Sequence, residues 1–410
     1  MYKESTLSNG LKIITHEDPS ISVVDIQLVF RAGSRYEESH EKGYAHILEH
    51  MLMKGTVKRP TPVLIAKEVD AMGGYRNAFT GRKSLRFIMQ AADNYSEELF
   101  EILSDMLLNS LIDATVLENE KKVIIEEIHK AADNTDSFFS RFIFEKLFAG
   151  HPLSSNILGD PESVTSATPD SLRAYKDKFL LPDNSAFVVS GNIRHEQVVA
   201  FVEKYFAGWS GASHPRVLVE YKPTTFGRYF HTKDTKQTLV AYSFYTAPAS
   251  HDRELLTLEL IRNFLNFGGS SILRDELRHK RGLIYNVGVN ISNLSDAGLF
   301  SIRPSTTKPK ETVEAIETII HDLKSLFTED LLAGVKAQTI GAFKLYIANP
   351  YRQVDFLSEA LLDSGRLVTP EEYITELQSI SHQEILKVID TYLVPEKAVI
   401  SAIGPVDFLS

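Results

Sequence analysis

His46, Glu49 and His50 stand at positions i, i+3 and i+4 within the segment running from Gly43 to Leu52. On an α-helix these three side chains share one face. Two imidazoles one turn apart can grip a single metal ion, and a carboxylate beside them can take a proton from the metal's water. The order H-x-x-E-H inverts the commoner zinc-protease motif. So short a pattern also arises on ordinary surface helices. Here, however, the flanks Ala45, Ile47, Leu48, Met51 and Leu52 are apolar, and polar groups on a buried helix need partners that a metal would supply. The chain has no cysteine, so a third ligand must be His, Asp or Glu. The stretch from Ala114 to Asn134 offers Glu118, Glu120, Glu126 and Glu127. Glu120 and Glu127 are seven apart, on one helical face with Val123 and Ile124 between them; Glu126 lies about 100° round the helix. Periodicity leaves Glu120 or Glu127.

The elements that must position these groups follow from period and punctuation. Leu11–Thr15 after the Asn9-Gly10 turn, and Val23–Phe30 with its alternating pattern, read as strands. From Gly43 to about Lys54 the period is helical. Pro60 and Pro62 open a second helix over Val63–Met72, stopped by Gly73-Gly74. Strands are expected at Tyr75–Thr80 and Ser84–Gln90, and helices at Ser96–Asn109 and Ala114–Asn134. The fold class is α+β.

The chain also repeats itself. Ser110-Leu111-Ile112, ahead of one long helix, returns as Ser325-Leu326-Phe327 ahead of another. Gly191 and Gly404, which close matching strands, are 213 apart, as are Gly55 and Gly268. Two homologous tandem domains are expected, 1–215 and 216–410, each a mainly antiparallel sheet packed with helices. The joint falls near Gly211–Pro223. At an offset of 213 His46, Glu49 and His50 correspond to Glu259, Arg262 and Asn263, and at an offset of 216 Glu127 corresponds to Phe343. The second copy therefore cannot bind the metal.

Composition narrows the function classes. The 410 residues are 43% hydrophobic and 24% charged, with a net charge of -10, which is ordinary for a globular chain and argues against nucleic acid or an anionic membrane as partner. Absence of cysteine removes disulfides, thiolate nucleophiles and iron–sulfur clusters. The first residues lack the apolar core of a secretory signal, and no stretch reaches the ~18 apolar residues of a membrane span. A cytoplasmic protein is expected.

The sequence resembles the inverzincin peptidases, which include pitrilysin, insulin-degrading enzyme and the mitochondrial processing peptidase. The likeness is to their short two-domain members and rests on Gly33-Ser34-Arg35-Tyr36-Glu37 and on Gly43 through Thr56. The resemblance implies zinc, one per chain, on His46, His50 and Glu127, the last in Val123-Ile124-Ile125-Glu126-Glu127-Ile128. It implies Glu120 behind the ligands. Gly73–Thr80 is similar to the family's G-G-x-x-N-A-x-T strand, whose edge receives substrate, here Asn77, Ala78, Phe79 and Thr80. Gly81-Arg82-Lys83-Ser84 then departs from the pattern. Leu277–Tyr285 matches L-R-x-K-R-G-L-x-Y, implying that Arg278 and Tyr285 serve catalysis, Arg278 on a last helical turn and Tyr285 on the strand beyond Gly282.

These readings converge on a zinc endopeptidase for peptides or unfolded segments, with Glu49 as the base for the zinc-bound water and a homodimer as the expected assembly. The rivals are a processing-type subunit active only in a heterodimer, and a non-catalytic scaffold subunit of the same fold.

Overall fold

Alternation and turn chemistry build two sheets. The computed structural model describes residues 1–213, 218, 220–223, 226–269 and 271–409. In the first half lie β1 (Tyr2–Thr6), β2 (Lys12–Glu17), β3 (Val23–Phe30), β4 (Tyr75–Thr80), β5 (Leu85–Ala92) and β6 (Ser185–Gly191). They assemble in the order β1-β2-β6-β3-β5-β4. The second sheet is β7 (Arg228–Thr232), β8 (Thr238–Thr246), β9 (Ile284–Leu294), β10 (Ala297–Thr306) and β11 (Val399–Gly404), ordered β7-β11-β8-β10-β9. In each, the last strand inserts beside the first of a matching set. That insertion makes one parallel pair, β2 with β6 and β7 with β11, while the other pairs are antiparallel. The orders superpose when β1 is set aside, so the sequence repeat is a repeat of topology.

Helices fill in around these strands: α1 (Tyr44–Leu52), α2 (Pro62–Ala71), α3 (Ser96–Leu108), α4 (Ala114–Asp133) and α5 (Thr135–Leu147) in the first half. Their starts are conventional. Thr61 accepts the N–H of Leu64 with Pro62 at the first helical position, and Asp113 accepts from Thr115 and Val116, each satisfying donors the helix leaves orphaned.

The chain forms two compact units. One comprises Met1–Thr135, Gly150–Val217 and Tyr346–Leu367; the other Asp136–Ala149, Leu218–Leu345 and Val368–Ser410. Each unit thus takes in one helix from the opposite half of the sequence. The expected joint at Gly211–Pro223 contains 214–217 and 219, and the 215/216 division falls there too, outside the described residues.

In the first unit the helix Pro350–Ser364 lies on β3 and β6. Val354, Leu357 and Leu361 meet Ile14, Ala186 and Val188. Beside this apolar seat is a layer of charge. Lys83 pairs with Asp363 and, at 2.7 Å, with Glu359; Arg86 pairs with Glu359 and, at 3.2 Å, with Asp355. Gln27 accepts from Ser358 at 3.2 Å. With a helix over this face as well, β3 is buried from Val24 to Phe30, Asp25 included. Burial, with the nearby Asp355 charge, pushes the Asp25 carboxyl up to about 7.

A pH signature follows from Asp25. Below about pH 4 the group is protonated whether the chain is folded or not. As pH rises, the unfolded chain gives up this proton first while the folded chain holds it to about 7, so stability present at acid pH is lost across that window. Asp25→Asn has no such proton to lose. Its unfolding free energy is expected to gain on the wild type by on the order of 4 kcal/mol between pH 4 and pH 8. Urea unfolding across that range measures it, and parallel profiles for the two proteins would rule the account out.

In the second unit, Val240, Tyr242 and Phe244 of β8 and Phe300 and Ile302 of β10 form the sheet side of the core. On the opposite face of β8, Tyr245 donates its hydroxyl to the carbonyl of Leu147, the last residue of α5, at 2.6 Å. No helix among the described residues is long and apolar enough to cross a membrane.

Candidate metal centre

The helix that carries the motif is set by its first turn. Gly43 caps α1 at φ +86, a left-handed conformation open to glycine, and a Cβ there would lie 2.8 Å from the Leu158 carbonyl oxygen. Glu37 then accepts the N–H groups of Gly43 at 2.8 Å and Ala45 at 2.9 Å, placing acceptors at the helix end that has orphan donors and positive dipole. Burial pushes its carboxyl up to about 8 despite those two bonds. Tyr44, Ala45, Ile47, Leu48, Met51 and Leu52 bury the helix, and His46 goes inward with them.

α4 runs against α1. Its inward stripe is Leu117, Glu120, Lys121, Ile124 and Ile128. Val123, expected to share that face, is 45% exposed. The stripe is offset from Val123, so Glu127 stands at its rim rather than beneath it.

From these two helices His46, His50 and Glu127 converge, with one potential ligand atom from each lying within 4.8 Å of the others. Glu127 Oε2 is 3.6 Å from His46 Nε2 and 3.7 Å from His50 Nε2. The other ring nitrogens differ. His50 Nδ1 is 3.0 Å from Glu120 Oε2, whereas His46 Nδ1 is buried with no hydrogen-bond partner among the described residues. Burial, helped by the His50 ring, holds His46 down at about 4. That keeps its imidazole neutral, the form that binds a metal. Two imidazoles and a carboxylate whose ligand atoms converge fit zinc, which takes His nitrogen and carboxylate oxygen and keeps one position open in catalytic sites. Burial disfavours charge on Glu120, but the Lys54 ammonium and His50 outweigh it and hold the carboxyl below its ordinary range.

Glu49 lies on the same helix and accepts the Thr80 hydroxyl. Burial raises its pKa, opposed by that bond. Glu126 is outside the constellation: its side chain is 81% exposed and its near neighbour is His129 at 3.8 Å.

Thr80 ends β4, which closes the first sheet and is paired, among the described strands, with β5 alone. Asn77 and Phe79 are exposed; Ala78 and Thr80 are buried. The departing Arg82 and Lys83 are turned away to protein partners, the Leu153 carbonyl at 3.1 Å for Arg82 and the Pro350–Ser364 helix for Lys83.

The counterpart positions in the second unit are tied up internally. Arg262 pairs with Glu259 at 2.9 Å, Tyr373 donates to Glu259 at 2.5 Å, and Asn263 donates to Thr339 at 2.9 Å. The Phe343 ring lies tilted against that of Tyr373, their centres 4.3 Å apart. In that unit Arg278 sits in a π-helical stretch, Arg274–Lys280, and the exposed Tyr285 near the start of β9. The bend at Gly282, φ +58, brings the guanidinium to 5.3 Å from the tyrosine ring centre, a cation–π distance. Sequence reasoning did not single out Lys54, Glu37 or the Thr80–Glu49 bond. The spacing of Lys54, four residues after His50, was the available signal.

Comparison with known proteins gives the family of the chain. Residues 12–161 match the family model for insulinase (peptidase family M16), and residues 166–339 match the model for the peptidase M16 inactive domain. An "uncharacterized zinc protease" of Rickettsia felis is 29% identical, over 93% of this chain and 92% of its own length. The mitochondrial-processing peptidase subunit beta of Dictyostelium discoideum is 26% identical, over 98% of this chain and 89% of its own. In fold, the crystal structure of a protease from Helicobacter pylori superposes with a TM-score of 0.89 at 19% identity, covering 99% of both chains. With both models matched in tandem and relatives aligned nearly end to end, the chain belongs to peptidase family M16, the insulinase family.

Proposed function

We propose that the chain is a zinc-dependent endopeptidase acting on peptides or unfolded segments. The observation that carries the reading is the convergence of His46, His50 and Glu127, with Glu49 on the same helix. A zinc ion held there by His46, His50 and Glu127, one per chain, would polarise the scissile carbonyl and make a water acidic enough to ionise near neutrality. Glu49 takes the proton of the attacking water and passes it to the departing amine. Thr80, through its bond to Glu49, aims that carboxylate. Substrate backbone adds to the edge of β4 at Asn77–Thr80, so main-chain bonds supply affinity and sequence preference is loose. Arg278 and Tyr285 donate to the substrate carbonyl as charge develops on its oxygen.

The chain works as a homodimer in this reading. A processing-type subunit needing a different second chain is the alternative, and its support is a relative named as a subunit.

One experiment addresses both. The purified chain is assayed for metal and for digestion of a mixed peptide library, before and after chelation. About one zinc per chain is expected, with cleavage lost on chelation and restored by zinc. Arg278→Ala and Tyr285→Phe should keep the metal yet lose turnover by about 1.5–4 kcal/mol of transition-state binding. A zinc-loaded single species that cleaves nothing would leave the scaffold or heterodimer reading. Arg278→Ala turning over at the wild-type rate would remove that residue from the machinery.

A further inference from the structure

Lys54 stands behind the metal-facing groups in a position to govern them. Glu120 offers two carboxylate oxygens, and each is taken: Oε2 is 3.0 Å from His50 Nδ1 and Oε1 is 2.8 Å from Lys54 Nζ. The Glu120 side chain is 9% exposed and that of Lys54 31%, so this is not the fully solvated kind of ion pair that contributes little. The lysine is also held from both sides. Its backbone N–H donates to the Met51 carbonyl at 3.2 Å, continuing the end of α1. The next residue, Gly55, accepts the N–H of Leu111 at 3.1 Å, and Thr56 bridges to Ser110. Both contacts tie the lysine's segment to the loop that leads into α4. The Lys54–Glu120–His50 chain therefore spans the two helices that supply the three donor groups.

We infer that Lys54 is a positioning residue for the metal: by occupying the second oxygen of Glu120 it fixes the first on His50 Nδ1, which sets the ring's tautomer and directs Nε2 toward Glu127. This role rests on the proposed metal site. A carboxylate with one oxygen free can rotate and release His50; a carboxylate held at both ends cannot. Among the described residues His46 has no counterpart of this arrangement at its buried Nδ1, so the orienting effect falls on His50. Partners behind metal ligands are worth about 10–100-fold in affinity, and the lysine acts through such a partner.

The test measures zinc affinity of the full chain by competition with a chromophoric chelator, apart from any activity. Lys54→Met should bind zinc about 10-fold more weakly or worse, with Lys54→Arg recovering most of the loss because it restores a donor to Glu120. The same Lys54→Met change made on a Glu120→Gln background should add little, since the lysine then has no carboxylate to hold. Turnover of Lys54→Met at saturating zinc should return with an unchanged KM. Wild-type affinity in Lys54→Met, or an equal loss on the Glu120→Gln background, would overturn the role. A wild-type chain that takes up no zinc would overturn the metal site itself and the role with it, an outcome distinct from a wild type that binds normally and a lysine variant that matches it.

Discussion

Glu49→Gln is expected to leave zinc uptake at the wild-type level and to cut peptide turnover by about 10²–10⁴-fold or more, the range for loss of a general acid–base group. The substitution suits the site because it changes little else. Glutamine has the same length and retains a side-chain oxygen that can accept the Thr80 hydroxyl, the bond the glutamate makes. What it loses is the negative charge and with it the capacity to take a proton. Glu49 is not among the three groups whose ligand atoms converge, so removing its basicity should leave the metal in place. Zinc content and kcat measured on the same preparation separate the possibilities. Turnover near wild type would make Glu49 a carboxylate with no part in the chemistry. Zinc lost in step with activity would make it a ligand, and the assignment of Glu127 would then have to be reconsidered.

The local elements were legible in the sequence because local rules made them. The apolar flanks and 3.6-residue period of the Gly43–Lys54 stretch became α1, and Asp113 capped α4 where the acidic N-cap preference puts such a residue. What the sequence did not reveal depends on contacts between residues far apart. The alternation of Val23–Phe30 reads as a strand with one wet face, yet Asp25 and Gln27 are buried because a helix from residues 350–364 covers that side. No periodicity announces which sheet a helix will lie on. Tyr2–Thr6 carries too little apolar pattern to announce a strand, and forms one by pairing antiparallel with β2. Val123 lies on the outer side because the stripe of α4 is centred on Ile124. In the site, residue types and spacing were enough to single out His46, Glu49 and His50. Glu120 and Glu127 remained equivalent by period, and the structure separates them: the first turns its carboxylate to His50 Nδ1, the second to both Nε2 atoms. Lys54 resembled a solvated lysine because its partner lies 66 residues further along the chain.

The separation of neighbouring glutamates on α4 supplies the other large effect. Glu127→Gln should weaken zinc binding by more than the roughly 10–100-fold typical of a partner behind a ligand, and Glu126→Gln should not change it. The two substitutions remove the same charge from adjacent positions on one helix, so long-range electrostatics and helix propensity are nearly matched. They differ in direction. Glu127 Oε2 lies 3.6 and 3.7 Å from the two histidine Nε2 atoms, while the Glu126 side chain is 81% exposed and points toward His129. A neutral amide cannot replace a carboxylate in balancing a divalent cation held by two imidazoles. His50→Ala, which deletes a donor and empties the contact with Glu120 together, should abolish stoichiometric zinc. Metal content after gel filtration and chelator-competition affinity read all three variants. A Glu126→Gln chain that loses zinc while Glu127→Gln keeps it would mean that α4 is rotated by one residue against α1, and the pairing of Glu120 with His50, which lies on the same helix face one heptad earlier, would then fail as well.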